Sequence, residues 1–227
     1  MSLDHLLQRT DIWRGGQLAT AVSAVPSGYA ELDELLPGGG WPRGALTDIL
    51  MARQGIGALR LLMPALSQLS HDDRWICWVA PPHIPYAPAL MAAGIDLSRV
   101  LLVHPKVQQD GMWAVEQSLR SGNCSAVLAW PAFSDAGVLR RLQLAAEAGD
   151  ALGFLFRAQR FVDRPSPAAL RIQLDTQSDG RLSVSILKRR GGWSAGPVQL
   201  DTTLQHGALA LHSHSATAAG CFQSRWQ

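Results

Sequence analysis

Hydrophobic residues along this chain fall into short continuous runs that alternate with longer stretches of helical spacing. The continuous runs predict strands that are buried on both faces, and they cover residues 45–50, 74–80, 99–104, 125–130 and 151–158. Apolar residues that recur every three or four positions predict helices over 57–70, 85–94, 107–122 and 134–149. The alternation predicts an α/β fold with a mostly parallel sheet that is flanked by helices.

The ends of the predicted helices carry recognisable signals. Glycines are expected to end three of them, at Gly94, Gly122 and Gly149. Ser134 is the predicted N-cap of the last helix. The first helix contains Pro64, which either is tolerated with a kink or marks a break.

The pattern changes after Arg160. Residues 169–190 form two alternating runs joined by Ser-Asp-Gly, which predicts a C-terminal antiparallel hairpin. Residues 205–227 are small and polar without a sustained period, and we expect a flexible tail. The predicted organisation is an N-terminal arm over 1–24, one domain over 25–204 and a tail over 205–227. The first eight residues also suit a short amphipathic helix that docks on the body or on a partner.

Composition narrows the classes of protein. The 227 residues are 47% hydrophobic and 17% charged, which suits a globular domain with a large core. A net charge of +2 does not by itself indicate nucleic-acid binding. The N-terminus lacks the features of a signal peptide, and no apolar run reaches the ~18 residues of a membrane span. Three widely spaced cysteines predict reduced thiols in a cytoplasmic protein.

The turn after the first predicted strand has the spacing of a phosphate-binding loop. In the pattern G-x-x-x-x-G-K-[ST], the lysine and hydroxyl hold phosphate and Mg²⁺. Here Gly57 is followed by Ala58 and Leu59, and Ala52 stands at the first glycine position. A plain strand-to-helix connection that uses Gly55 and Gly57 is the simpler interpretation.

Longer segments resemble a known family. Residues 25–50, "VPSGYAELDELLPGGGWPRGALTDIL", resemble the segment that leads into the ATP site of the RecA core, and 74–105 continue the likeness. Residues 118–157 are similar to SulA, a cell-division inhibitor and RecA relative without an ATP site. With "LKRRGG" at 187–192, the order is most similar to the ImuA family, the RecA-like accessory proteins of a bacterial mutagenesis cassette.

The resemblance implies that catalysis has been lost. RecA-type sites place a glutamate after the next strand and an acid at the end of the fourth. The matching positions are Pro81 or Pro82 and Trp130, which Pro131 follows. We therefore expect a non-enzyme with a RecA-like core and a vestigial phosphate-binding loop, without a cofactor. The histidines His83, His104, His212 and His214 show no metal-ligand spacing.

Basic residues raise the question of DNA. Lys188, Arg189 and Arg190 end a predicted strand close to Trp193, and they either are a solvated strand end or contact phosphate or an acidic protein surface. The resemblance implies that they imitate a contact to a neighbouring subunit's nucleotide. A second basic region is expected near the turn, from Arg14, Arg43, Arg53 and Arg60.

The resemblance implies an adaptor in DNA-damage-induced translesion synthesis. Its implied partner is an ImuB-type polymerase-like protein and, through it, an error-prone replicative-type DNA polymerase. RecA and single-stranded DNA are further partners that it allows, and no membrane is implied. The alternative is a SulA-like inhibitor that binds the division protein FtsZ. Trp13, Trp193 and Trp226 are the expected partner anchors, and Trp75, Trp78 and Trp130 are expected in the core.

Overall fold

A computed structural model of the chain describes residues 23–131 and 135–202. Several sequence predictions concern residues outside these ranges. They are the N-terminal helix, the tail and the roles of Trp13, Arg14, His212, His214 and Trp226.

The elements follow the predicted alternation. The strands are β1 (Ala24–Val25), β2 (Trp41–Pro42), β3 (Ala45–Met51), β4 (Trp75–Val79), β5 (Val100–Val103), β6 (Cys124–Ala129), β7 (Leu152–Ala158), β8 (Leu170–Thr176), β9 (Leu182–Arg189) and β10 (Ala195–Leu200). The helices are α1 (Ala30–Asp33), α2 (Ala58–Ser70), α3 (Ala87–Ala92), α4 (Gln108–Arg120) and α5 (Ala136–Gly149). Short 3₁₀ turns lie at Leu97–Arg99 and Gln159–Phe161.

Eight strands form one sheet in the order β10-β9-β8-β3-β7-β6-β4-β5. The pairs from β8 through β3 to β5 are all parallel, which confirms the mostly parallel sheet. Strands β8 and β9 form the predicted antiparallel hairpin. The hairpin is not an appendage, because β8 pairs with β3 and extends the same sheet. The unpredicted strand β10 pairs antiparallel with β9.

Helices cover both faces of the sheet, as the continuous apolar strands predict. Leu61 of α2 and Leu90 of α3 belong to a core with Ile49 of β3. Leu119 of α4 packs in a second core with Leu46 of β3. Because side chains alternate along a strand, β3 contributes to both cores and lies at the centre of the fold.

Glycines end two helices as predicted and serve a different purpose in a third. Gly94 and Gly122 follow α3 and α4 with positive φ angles of 83° and 73°. Gly149 instead is the last residue of α5, and Asp150 takes the left-handed conformation with φ 48°. A Cβ atom on Gly149 would collide with the carbonyl oxygen of Leu119 in α4. The prediction of Gly149 as a cap is therefore wrong, because close helix packing explains it.

The prediction of Ser134 as N-cap is also wrong. The N-cap of α5 is Asp135, whose Oδ1 accepts a hydrogen bond of 3.0 Å from the backbone N–H of Gly137. A carboxylate at this position also complements the positive end of the helix dipole, which favours it over the preceding serine.

Helix α2 continues through Pro64 from Ala58 to Ser70. A proline cannot donate to the carbonyl four residues before it, so the Arg60 carbonyl loses its helical donor. The hydroxyl of Tyr29 donates to this carbonyl oxygen at 3.4 Å. The segment before β3 thus packs on α2 and satisfies a backbone group that the proline leaves open.

Candidate functional site

The turn between β3 and α2 has the backbone of a tight glycine turn. Gly55 and Gly57 have left-handed φ angles of 82° and 98°, and Gly57 is the N-cap of α2. No side chain caps this helix end. The turn lies at the carboxyl ends of the parallel strands, the edge at which open α/β sheets bind ligands.

An apolar pocket of about 340 Å³ lies beside this turn, and we call it the apolar pocket. Its lining includes Leu59, Pro82 and Trp130, three positions at which a RecA-type site would need polar or acidic groups. The ring of Trp130 stacks on Phe156 with centroids 4.5 Å apart. It also lies 6.0 Å from the buried ring of Trp78. These side chains suit an apolar group rather than a hydrated triphosphate and Mg²⁺.

The other predicted positions lie around the same edge. Ala58 is buried in the first turn of α2 and has no polar side-chain group to meet a phosphate. Pro81 also lines the apolar pocket, whereas Pro131 lines a neighbouring one. Leu59 is only partly buried against the core.

A polar recess adjoins the apolar pocket. It has a volume of about 400 Å³, and its lining includes Arg53, Arg60 and Thr202. Arg43 lies before β3 at the opposite end of the strand and pairs with Asp72 at 3.8 Å. The predicted second basic region is therefore divided, because Arg43 and Arg53 lie at opposite ends of β3.

All three cations of the "LKRRGG" segment have partners within the chain. Lys188 Nζ donates to the carbonyl oxygen of Ser166 at 2.8 Å. Desolvation, with the nearby guanidinium of Arg171 next in importance, lowers the pKa of Lys188. Arg190 forms an ion pair of 3.1 Å with Glu147 of α5.

Arg189 holds the turn that presents Trp193. Its Nε donates to the carbonyl oxygen of Trp193 at 2.9 Å, and its Nη1 donates to the carbonyl oxygen of Leu35. The side chain of Trp193 is 88% exposed. The three cations thus point to different partners, and phosphate binding by them stays a prediction.

Two tryptophans, Trp75 and Trp113, are exposed, which the sequence predictions do not anticipate. Trp75 was expected in the core, but it is 40% exposed because it begins β4 at a bulge in the pairing with β6. Trp113 of α4 is 65% exposed. The spacing of the buried Val115 and Leu119 could have identified Trp113, because it places position 113 on the outer side of α4.

A buried ionic cluster joins side chains of three neighbouring strands of the sheet. The carboxylate of Asp48 in β3 pairs with Arg157 of β7 at 2.5 Å and with Arg171 of β8 at 3.2 Å. Arg171 also donates to the carbonyl oxygens of Phe161 and Val162. The cluster ties three neighbouring strands and the loop after β7 together, so we assign it a structural role.

The described residues contain neither a candidate membrane span nor a candidate metal-binding cluster. None of the helices there is long and apolar enough to cross a membrane. Nor do those ranges contain a group of three or more His, Cys, Asp or Glu side chains that could hold a metal ion.

Comparison with known proteins places this sheet in a family. Residues 44–153 match the family model described as cell division inhibitor SulA. The SulA of Edwardsiella piscicida is 37% identical over 99 residues, which are 44% of this chain and 59% of the relative. The SulA of Photorhabdus laumondii is 35% identical over 51% of this chain and 65% of the relative. The chain therefore spans about three fifths of the length of these relatives.

Two further SulA proteins are similar to this chain. The crystal structure of SulA from Pseudomonas aeruginosa has 28% sequence identity and a TM-score of 0.42, covering 49% of this chain and 97% of that one. The SulA of Serratia proteamaculans is 30% identical over 125 residues, which are 55% of this chain and 74% of the relative. With this share of a relative covered at this identity, the chain belongs to the SulA family of cell division inhibitors.

Proposed function

We propose that this protein inhibits cell division without catalysis, by binding FtsZ as part of the response to DNA damage. The match of residues 44–153 to the SulA model, which runs from just before β3 into β7, carries the proposal of a division inhibitor. The apolar pocket supports its non-catalytic part, because Leu59, Pro82 and Trp130 line the space beside a glycine turn of phosphate-binding spacing.

The family-matched part also presents apolar side chains for a protein partner. Edge strand β5 exposes Leu101 and Leu102, and α4 exposes Trp113. Exposed aromatic residues of this kind often anchor protein contacts. Trp113 is therefore the side chain on which we expect binding to FtsZ to depend.

A second candidate function is an adaptor of the ImuA kind, and one observation favours it. Strands β8, β9 and β10 extend the sheet beyond the matched residues, and the exposed Trp193 precedes β10. This surface suits an ImuB-type polymerase-like protein, with the error-prone polymerase as an indirect partner. RecA and single-stranded DNA belong to the same hypothesis.

Two tryptophan variants distinguish the candidates. The assay is GTP-dependent polymerisation of purified FtsZ, followed by light scattering with increasing amounts of this protein. We expect inhibition by the wild type, inhibition by Trp193→Ala and at least tenfold weaker inhibition by Trp113→Ala, since loss of an anchor costs ~2 kcal/mol. Circular dichroism confirms that each variant is folded.

The same proteins are titrated calorimetrically with an ImuB-type protein. The protein could instead fail to inhibit FtsZ and bind the polymerase-like protein tightly, with weaker binding by Trp193→Ala. That result would contradict the division-inhibitor hypothesis and favour the adaptor hypothesis.

A further inference from the structure

We propose that the apolar pocket binds an aromatic side chain of the chain's own C-terminal segment, residues 203–227. This segment contains Phe222 and Trp226. The proposal adds an internal ligand to the fold, and it stands independently of whether the partner is FtsZ or a polymerase-like protein.

The chemistry of the pocket favours an aromatic guest. Trp78, Trp130 and Phe156 contribute three rings to its lining, and Met51 and Leu59 contribute aliphatic atoms. The described lining residues include no carboxylate. Aromatic rings gain both from burial and from stacked or edge-to-face contacts with other rings, so a Phe or Trp side chain matches this surface.

The path of the chain brings the segment to the pocket. Strand β10 is antiparallel to β9, β9 is antiparallel to β8, and β8 is parallel to β3. Strand β10 therefore runs parallel to β3 and ends at the edge of the sheet that carries the glycine turn. Thr202, the last described residue, is buried and lines the polar recess. The recess shares Gly55, Gly57 and Arg60 with the apolar pocket, so the described chain ends beside the pocket at Thr202.

The segment is long enough to reach the pocket and short enough to keep a high effective concentration of its aromatic side chains there. Phe222 lies 20 residues after Thr202. A flexible chain of that length spans roughly 25 Å, and such tethers give effective concentrations of about millimolar. Among the charged residue types, the segment contains only Arg225, so an aromatic side chain can enter without burying a carboxylate. A partner's aromatic side chain would have to displace this internal ligand.

Disulfide crosslinking in the full chain tests the contact. Cys221 precedes Phe222, whereas Cys77 and Cys124 are buried in the core. Ile84 lines the pocket and is 79% exposed, so Ile84→Cys places a thiol at its rim. The matched control is Trp113→Cys on the opposite face of the sheet. Mild oxidation of the folded protein is followed by peptide mass spectrometry.

We expect a disulfide between positions 84 and 221 within one chain, with a yield independent of protein concentration. The control should give a several-fold lower yield. Replacing Phe222 and Trp226 by Ala in the Ile84→Cys protein should reduce the yield several-fold. The proposal is overturned by equal yields at positions 84 and 113 or by no effect of removing the aromatic rings. A disulfide that forms only between two chains would instead assign the pocket to a second copy and also overturn it.

Discussion

At the scale of single residues, Tyr29 shows how an interior position compensates for a local defect. Its hydroxyl donates to the carbonyl oxygen of Arg60, which Pro64 leaves without a helical donor. Desolvation by burial, with the charge of Asp201 as a smaller cause, raises the pKa of Tyr29 to about 12. The folded state thus favours the neutral phenol that can donate the hydrogen bond.

Alkaline titration should reveal this environment. The pKa of Tyr29 is higher in the folded than in the unfolded chain, so its contribution is fully present below pH ~10 and is lost as the pH rises through about 12. The free energy of unfolding should fall by up to roughly 2–3 kcal/mol over this range because of Tyr29. Tyr29→Phe should lose that part of the pH dependence, as measured by urea unfolding.

The sequence has two tyrosines, so the matched control is Tyr86→Phe. Tyr86 is exposed, and its replacement should leave the alkaline loss of stability in place. In the Tyr86→Phe protein, tyrosinate absorbance reports Tyr29 alone. A midpoint close to pH 10 would contradict the buried environment.

Residue pairing was the part that the sequence could not supply. The run 45–50 correctly predicts a buried strand, although it contains Asp48. Nothing local to Asp48 identifies Arg157 and Arg171, which are 109 and 123 residues away, as its partners. The same holds for the apolar pocket. The sequence shows that Leu59, Pro82 and Trp130 replace polar or acidic residues, but only the fold shows that the three side chains line one pocket.

At the scale of elements, the contact between α4 and α5 depends on one missing side chain. The backbone of Gly149 in α5 approaches the carbonyl of Leu119 in α4 so closely that a Cβ atom does not fit. Two helices on the same face of the sheet therefore pack backbone against backbone at this point.

Gly149→Ala should destabilise the protein by ~1–3 kcal/mol, the usual cost of overpacking a well-packed interior. Gly137→Ala in the first turn of the same helix is the matched control. A Cβ atom there meets only Asp135 at 3.6 Å or more, and alanine favours the helix by ~1 kcal/mol over glycine. Chemical denaturation measures both variants, and equal stabilities would contradict the close approach.

Periodicity located the long elements and missed the irregular one. Helices α2, α4 and α5 lie within one or two residues of their predicted bounds. Strand β10 was missed because it contains Gly196 and Pro197, which interrupt the alternation at a shift in register with β9. The hairpin was predicted, but its attachment to β3 depends on long-range pairing.

At the scale of the whole molecule, one part of the sheet lies within the residues that match SulA and another part lies outside them. The part from β3 to β6 falls within the residues that match SulA. Strands β8 to β10 lie outside them and continue the same hydrogen-bonded sheet. The α/β class was predictable from periodicity, whereas the choice between division inhibitor and adaptor depends on surfaces contributed by both parts.

We expect no ATP turnover from the intact protein, with or without single-stranded DNA. Leu59, Pro82 and Trp130 line the apolar pocket and supply neither a phosphate ligand nor a base. Steady-state phosphate release should equal the buffer background, with an active RecA protein as the positive control. DNA-stimulated release that disappears in a Gly57→Val variant would contradict a non-catalytic role.

The position of β3 also has a consequence for how the chain folds. Ala45 pairs with Leu152 of β7, and Thr47 pairs with Leu170 of β8, so both neighbours of the central strand come more than a hundred residues later. Such distant pairings slow folding, and a strand that waits for its partners exposes edges that can aggregate. During synthesis β3 must wait on both edges until residues 152–176 have left the ribosome. A chain cut after residue 160 would keep β7 but leave open the edge that β8 covers. Residues 161–202 therefore complete the centre of the sheet as well as its margin.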